Sequence, residues 1–235
     1  MEKVIHSDEA TVKVNDIEIV YDTFGEPSAP SLLLIMGLGQ QMISWDEEFC
    51  KQLAAKGYWV IRFDNRDVGL STKLDAAGVP IIRKLMKDLE LGETIEIPYT
   101  ILDMTEDIIG LLDALKIETT HIVGVSMGGM IAQTIVINHP QRVQTLTSIM
   151  SSTGNPQLPQ PKSEAMSILL TPPPTSRTEY IKYMLKCWRV LHGPKFPFDD
   201  VYWREIISRA YDRNFYPAGI SRQLAAILTM GDRKE

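Results

Sequence analysis

The chain has 235 residues, 44% of them hydrophobic and 23% charged, values typical of globular proteins and enough for one sizeable core plus an insertion. A net charge of -6 and a pI near 5.3 supply no broad positive field, so neither nucleic acid nor an anionic membrane surface is an expected partner. Residues 1–10 lack the apolar stretch of a secretory signal, and no run reaches membrane-spanning length, which sets the expectation of a cytoplasmic protein. The two cysteines, Cys50 and Cys187, have no metal-type spacing and are expected to be reduced and buried, with no metal and no cofactor implied.

In chain order, Val12 and Val14, then Ile17, Ile19 and Tyr21, alternate around Asn15 and Asp16, a period-2 pattern that predicts a hairpin. Leu32 to Ile35 is a continuous apolar run, expected for a parallel strand covered on both faces. Ser44 with Glu47 three residues on has the spacing of a capping box and predicts the start of a helix closed by Gly57. Tyr58 to Phe63 reads as the next strand. After a loop and a variable segment, Thr100 is placed as the cap of a helix whose inner face is Met104, Ile108, Leu111, Leu112 and Leu115. Thr120 to Val125 is a strand, Gly128 to Asn138 a helix stopped by Pro140, and Val143 to Met150 a further strand. Such alternation predicts an α/β protein with a mostly parallel sheet, whose ligands bind beyond the carboxyl ends of the strands.

Beyond Ser152 the pattern changes. Prolines 156, 159, 161 and 172–174 separate helical segments with no further buried strand, and these are read as a helical cap. Its helices are placed at Thr178 to Leu191, Asp200 to Asp212 and Ile220 to Met230. The aromatic stripe containing Tyr180, Trp188, Tyr202 and Trp203 is expected mainly to pack the cap against itself, with some members lining a pocket mouth. The resulting division is 1–153 for the core, 154–230 for the cap, and 231–235 for the beginning of more core.

The chemistry concentrates at Gly124-Val125-Ser126-Met127-Gly128. This is G-x-S-x-G between a predicted strand and a predicted helix, the setting of a nucleophile elbow. Ser126 is the candidate catalytic nucleophile. Gly124 and Gly128 stand where a Cβ would collide with neighbouring backbone, and the start of the following helix aims N–H groups and a positive dipole end at a developing oxyanion. Met36-Gly37-Leu38-Gly39 follows the earlier buried strand, so the backbone N–H groups of Leu38 and Met127 form a candidate oxyanion hole, with Gly37 and Gly39 letting the loop turn tightly. In Asp64-Asn65-Arg66-Asp67-Val68-Gly69-Leu70-Ser71, Arg66 is read as bracing adjacent loops rather than as an active-site cation.

Hairpin, glycine loop, D-x-R-x-x-G-x-S segment and G-x-S-x-G elbow occur in the order that resembles the α/β-hydrolase superfamily. The runs Ser31 to Ser71 and Trp188 to Trp203 resemble the aclacinomycin methylesterase type of carboxylesterase. The resemblance implies a cofactor-independent serine hydrolase of carboxylic esters, acting on a small-molecule ester through an acyl-enzyme. Met36 departs from the histidine that many relatives carry, so only the backbone role of Leu38 is carried over. Ser126 disfavours the aspartate-nucleophile dehalogenases and epoxide hydrolases of this fold.

In that family the order is Ser, then Asp or Glu, then His. Of the four histidines, only His192 follows Ser126 at a distance, and its helical context is wrong for a base on a loop; Asp199 and Asp200 read as N-terminal acids of a cap helix. The last strands and helices of the fold are therefore expected to be absent from this chain, which alone would be nearly inactive. An expression or proteolytic fragment is the favoured explanation, ahead of one piece of a split enzyme completed by a separate C-terminal chain. Self-association through an exposed sheet edge is a further expectation. Alternatives for function are a non-catalytic ligand-binding or interaction module, and a carbon–carbon hydrolase or perhydrolase using the same elbow.

Overall fold

A computed structural model describes residues 4–93 and 95–231. Strands β1 (Ala10–Val14) and β2 (Ile17–Phe24) form the expected hairpin. Val14 pairs with Ile17, leaving Asn15 and Asp16 as a two-residue loop, and Asn15 takes the positive φ of 50° that such a turn demands and asparagine tolerates. β3 (Ser31–Ile35), β4 (Trp59–Phe63), β5 (Thr120–Val125) and β6 (Val143–Ile149) complete a six-stranded sheet in the order β1-β2-β4-β3-β5-β6. β3, β4, β5 and β6 run parallel, and β2 meets β4 antiparallel.

Alternation along β3 sends its side chains to two cores. Leu33 and Ile35 join Ile61, Phe63, Ile122 and helices α3 (Ile101–Ala114) and α4 (Met127–Asn138) on one face. On the other, Leu32 and Leu34 join Val60, Phe24, Trp45 and Cys50 of α1 (Glu47–Ala54). β6 ends the sheet, and among the described residues no strand pairs with its outer edge. Leu146 and Ile149 are accordingly 38% and 41% exposed.

Thr100 caps α3 as expected, in a reciprocal capping box with Asp103. The expectation for α1 is corrected. Asp46, not Ser44, is its N-cap, accepting from the N–H groups of Glu48 and Phe49 at 2.8 and 3.3 Å. Ser44 closes a single 3-10 turn, Met42–Ser44, instead. Both residue types cap, but a carboxylate also complements the helix dipole, and Asp46 stands one position before the first helical residue. The segment expected to be variable contains a helix, α2 (Ile82–Glu90), whose described side chains include one buried member, Leu85. Helices α5 (Ser163–Leu170), α6 (Arg177–Leu191), α7 (Asp200–Arg213) and α8 (Pro217–Leu228) follow β6. Residues 232–235, where more core was expected to begin, lie outside the described residues.

Strand β4 carries a buried charge. Arg62 is 1% exposed and forks onto Asp22 of β2 with two 2.7 Å bonds, so each ion is taken out of water with its partner. Cys50 lies beside this pair, and burial, opposed by the nearby Arg62 cation, pushes its thiol up to about 12. Thiolate is the reactive form. Native protein at pH 8 should therefore leave Cys50 unmodified by a disulfide reagent that labels it promptly in urea, as thiol titration with peptide mapping will read.

Candidate active site

Ser126 sits between β5 and α4 with φ 55° and ψ -119°, a conformation side-chain-bearing residues rarely adopt and one that requires the surroundings to hold it. They do so through close backbone packing. A Cβ on Gly124 would lie 2.2 Å from the carbonyl oxygen of Gly128, and one on Gly128 would lie 2.2 Å from that of Ile35. The two glycines thus let β5, the elbow and β3 approach more closely than any other residue would allow. The Ser126 N–H donates to Ile149 O at 2.9 Å, and its carbonyl accepts from Gly129 N–H at 2.9 Å. The kink is therefore tied to β6 on one side and to the first turn of α4 on the other.

The loop after β3 is brought against this serine. A Cβ on Gly37 would stand 3.1 Å from Ser126 Cβ, so the glycine sets the closeness of loop and serine. Gln40 N–H donates to Gly37 O at 3.1 Å, closing a four-residue turn with Gly39 at its third position and φ 66°, a conformation that favours glycine. The Met127 side chain is fully buried. Among the described residues, no intramolecular hydrogen bond takes up the N–H of Leu38 or that of Met127. Leu38 lines the same cavity as the half-buried Ser126, and Met127 is the serine's neighbour in the chain.

A cavity of about 180 Å³ opens over Ser126, walled by Gly37, Leu38, Val125 and Met150 from the core and by Tyr180, Met184, Cys187 and Trp188 of α6. The aromatic stripe serves both expected ends. Trp188 stacks on Trp203 with ring centroids 4.4 Å apart, packing α6 on α7, while its pocket-facing neighbours close the cavity.

The braces beneath the site were only partly foreseen. Arg66 forks onto Asp107 of α3 at 2.6 and 2.7 Å, the bracing role expected of it. Asp64, fully buried, accepts from Met42 N–H, Leu70 N–H and Arg213 of α7, so one carboxylate joins the loops after β3 and β4 to that helix. α8 bears directly on both loops. Gln223, fully buried, accepts from Gly39 N–H at 2.8 Å and donates to Arg66 O at 2.9 Å. Sequence reading assigned α8 no part in the site, and the polar pair Arg222 and Gln223 in the middle of an otherwise largely apolar helix is the signal that was there to find.

The histidines lie elsewhere. His6 meets Asp22, His121 meets Thr145, His139 meets Glu106, and the ring of His192 stands edge-on to Phe198. None of them lines the Ser126 cavity, and among the described residues no side chain hydrogen-bonds to Ser126. Asp199 caps α7 through the N–H groups of Val201 and Tyr202, as expected of a helix acid. Among the described residues no cluster of potential metal ligands occurs, and no helix is long and apolar enough to cross a membrane.

Parallel sheet, strand-to-helix kink and glycine loop define the α/β-hydrolase class, and residues 30–181 match the family model for the alpha/beta hydrolase fold. The chain belongs to that family. It is 30% identical to a rhodomycin D methylesterase from Streptomyces sp. (strain C5), the match covering 79% of this chain and 62% of that protein. It is also 30% identical to 3-oxoadipate enol-lactonase 2 from Acinetobacter baylyi, over 56% of this chain and 41% of the other. Among solved structures, the enol-lactonase from Burkholderia xenovorans LB400 superimposes with a TM-score of 0.64 at 23% identity, covering 96% of this chain and 76% of that one. The chain spans about three-fifths of the length of the methylesterases it matches.

Proposed function

We propose that this chain carries the nucleophile and oxyanion hole of a serine hydrolase acting on small-molecule carboxylic esters through an acyl-enzyme. The observation that carries the reading is the strained Ser126 at a strand-to-helix turn, lining a mainly apolar cavity together with the glycine loop of Gly37 to Gly39. An ester entering that cavity places its carbonyl oxygen to accept from Leu38 and Met127 N–H while Ser126 Oγ attacks the carbon. The oxyanion so formed is held by fixed dipoles, each worth about 3 kcal/mol in the transition state. Collapse expels the alcohol and leaves the acyl group on Ser126, to be removed by water. The esterase and enol-lactonase names of the relatives fit this chemistry, since both cleave an acyl–oxygen bond.

The carboxylic acid and histidine that complete proton transfer in such a triad are not supplied at Ser126 by the described residues. Turnover by this chain alone then falls to what oxyanion stabilisation and binding provide, about 10³ to 10⁴ over water. The same observation favours a second reading, a ligand-binding module using the lidded pocket. Acylation separates the two. With an activated p-nitrophenyl ester, intact-mass analysis should show slow addition of one acyl group, mapped to Ser126 and lost in Ser126→Ala. An acyl group on another residue, or unchanged addition in the variant, overturns the assignment; no addition at all selects the binding module.

A further inference from the structure

A second, larger chamber of about 750 Å³ lies beside the Ser126 cavity, between α2, the segment Leu169 to Pro173 and α8. The two share four wall residues, Leu169, Thr171, Pro173 and Ile220, so they adjoin along these side chains. The interior surface of the larger chamber is mainly apolar, with Ile82 and Met86 of α2 facing Leu224 of α8. Apolar surface also continues to its mouth, where Ile81 and Leu169 are 71% and 37% exposed. Solvent-exposed apolar side chains around a concave apolar chamber mark a surface that a ligand covers.

Charge distinguishes one end. Arg83 and Lys87 stand one helical turn apart on α2, both exposed and both lining the chamber, a spacing that puts them on one face. Lys84 of the same helix is neutralised by Asp88 at 2.6 Å, whereas among the described residues no carboxylate pairs with Arg83 or Lys87. Glu90, the remaining charged residue of the lining, leaves the rim with one net positive charge in a chain whose net charge is -6.

We propose that this chamber is the subsite for the body of the ester, and that it selects an elongated apolar chain or ring system ending in a carboxylate. The ester end reaches Ser126, the body passes Thr171, Pro173 and Ile220, and the carboxylate meets Arg83 and Lys87. The proposal rests on the ester reading for its orientation alone; occupancy of the chamber is a separate matter of equilibrium binding.

The test uses the full chain carrying Ser126→Ala, so that nothing is hydrolysed, and titrates the monomethyl ester of a long dicarboxylic acid against its dimethyl diester by calorimetry. The monoester should bind about fivefold tighter at low salt, as two solvent-exposed ion pairs allow, with the difference shrinking at 0.5 M salt. Arg83→Ala with Lys87→Ala should bring the two ligands to equal affinity without weakening the diester. Met86→Trp, which narrows the chamber, should weaken both ligands. Equal binding of monoester and diester by the parent, or no response to the paired alanines, overturns the proposal. Failure of the acylation experiment with this binding intact removes the nucleophile assignment and leaves the chamber standing.

Discussion

Gly128→Ala should be among the most damaging single-methyl additions in the chain, lowering stability by about 3 kcal/mol and slowing acylation at Ser126 by about 100-fold. The added carbon would sit 2.2 Å from Ile35 O and 2.8 Å from Met36 O, both backbone atoms that no rotamer change can move. Overpacking a core usually costs about 1 to 3 kcal/mol, and rigid backbone on the receiving side puts this case at the upper end. To relieve the clash, α4 and β3 must part by the better part of an ångström. That movement separates Met127 N–H from Leu38 N–H, and misplacement on this scale costs about 100-fold where geometry supplies the rate. Gly193→Ala is the control, with nothing within 4 Å of the added carbon and an expected change of under about 0.5 kcal/mol. Urea unfolding and acylation rates measure the two consequences separately. A Gly128→Ala protein with parental stability and labelling rate would show that elbow and loop are not packed as described.

Local chemistry explains which parts of this were legible in the sequence. The hairpin at Asn15, the helix cap at Thr100 and the strand-to-helix turn at Ser126 are each fixed by a few adjacent residues whose backbone needs are specific, and the structure places them where the sequence does. Where two neighbours have similar aptitude, as Ser44 and Asp46 do for capping, spacing alone chose the wrong one. Helix α2 was missed because its charged residues outnumber its buried ones and because it lies on the surface without the two-sided burial that made β3 conspicuous. The braces were the least legible. Arg62 with Asp22, Asp64 with Arg213 and Gln223 with Gly39 are separated in sequence by 40, 149 and 184 residues, and no periodicity connects partners that only the folded topology brings together.

The largest loss of stability is expected from Arg222→Met, at about 3 to 5 kcal/mol, and the reason also concerns the proposed site at Ser126. Arg222 and Asp67 are 1% and 0% exposed and bonded twice, at 2.8 and 2.9 Å. Methionine keeps most of the volume but leaves the Asp67 carboxylate buried without its counter-ion, the costly way to break such a pair. Burial works to raise the Asp67 pKa, yet the Arg222 guanidinium and the Leu74 N–H together hold it below the ordinary 3.8. A carboxyl depressed in the folded state stabilises fully above its unfolded value and loses that contribution as pH falls through its folded one. The parent should therefore lose stability below about pH 4, whereas Arg222→Met should lose less over the same interval. Adding Asp67→Asn to Arg222→Met should recover part of the deficit, because the stranded charge is gone; a double variant no more stable than the single one would contradict this account. Gly219 approaches so closely that a Cβ there would stand 2.1 Å from Asp67 O, so the ion pair and this contact seat α8 together. One residue after Arg222, Gln223 holds Gly39 N–H. Unseating α8 hence loosens the turn that presents Leu38, and acylation at Ser126 should slow in Arg222→Met even where the protein remains folded.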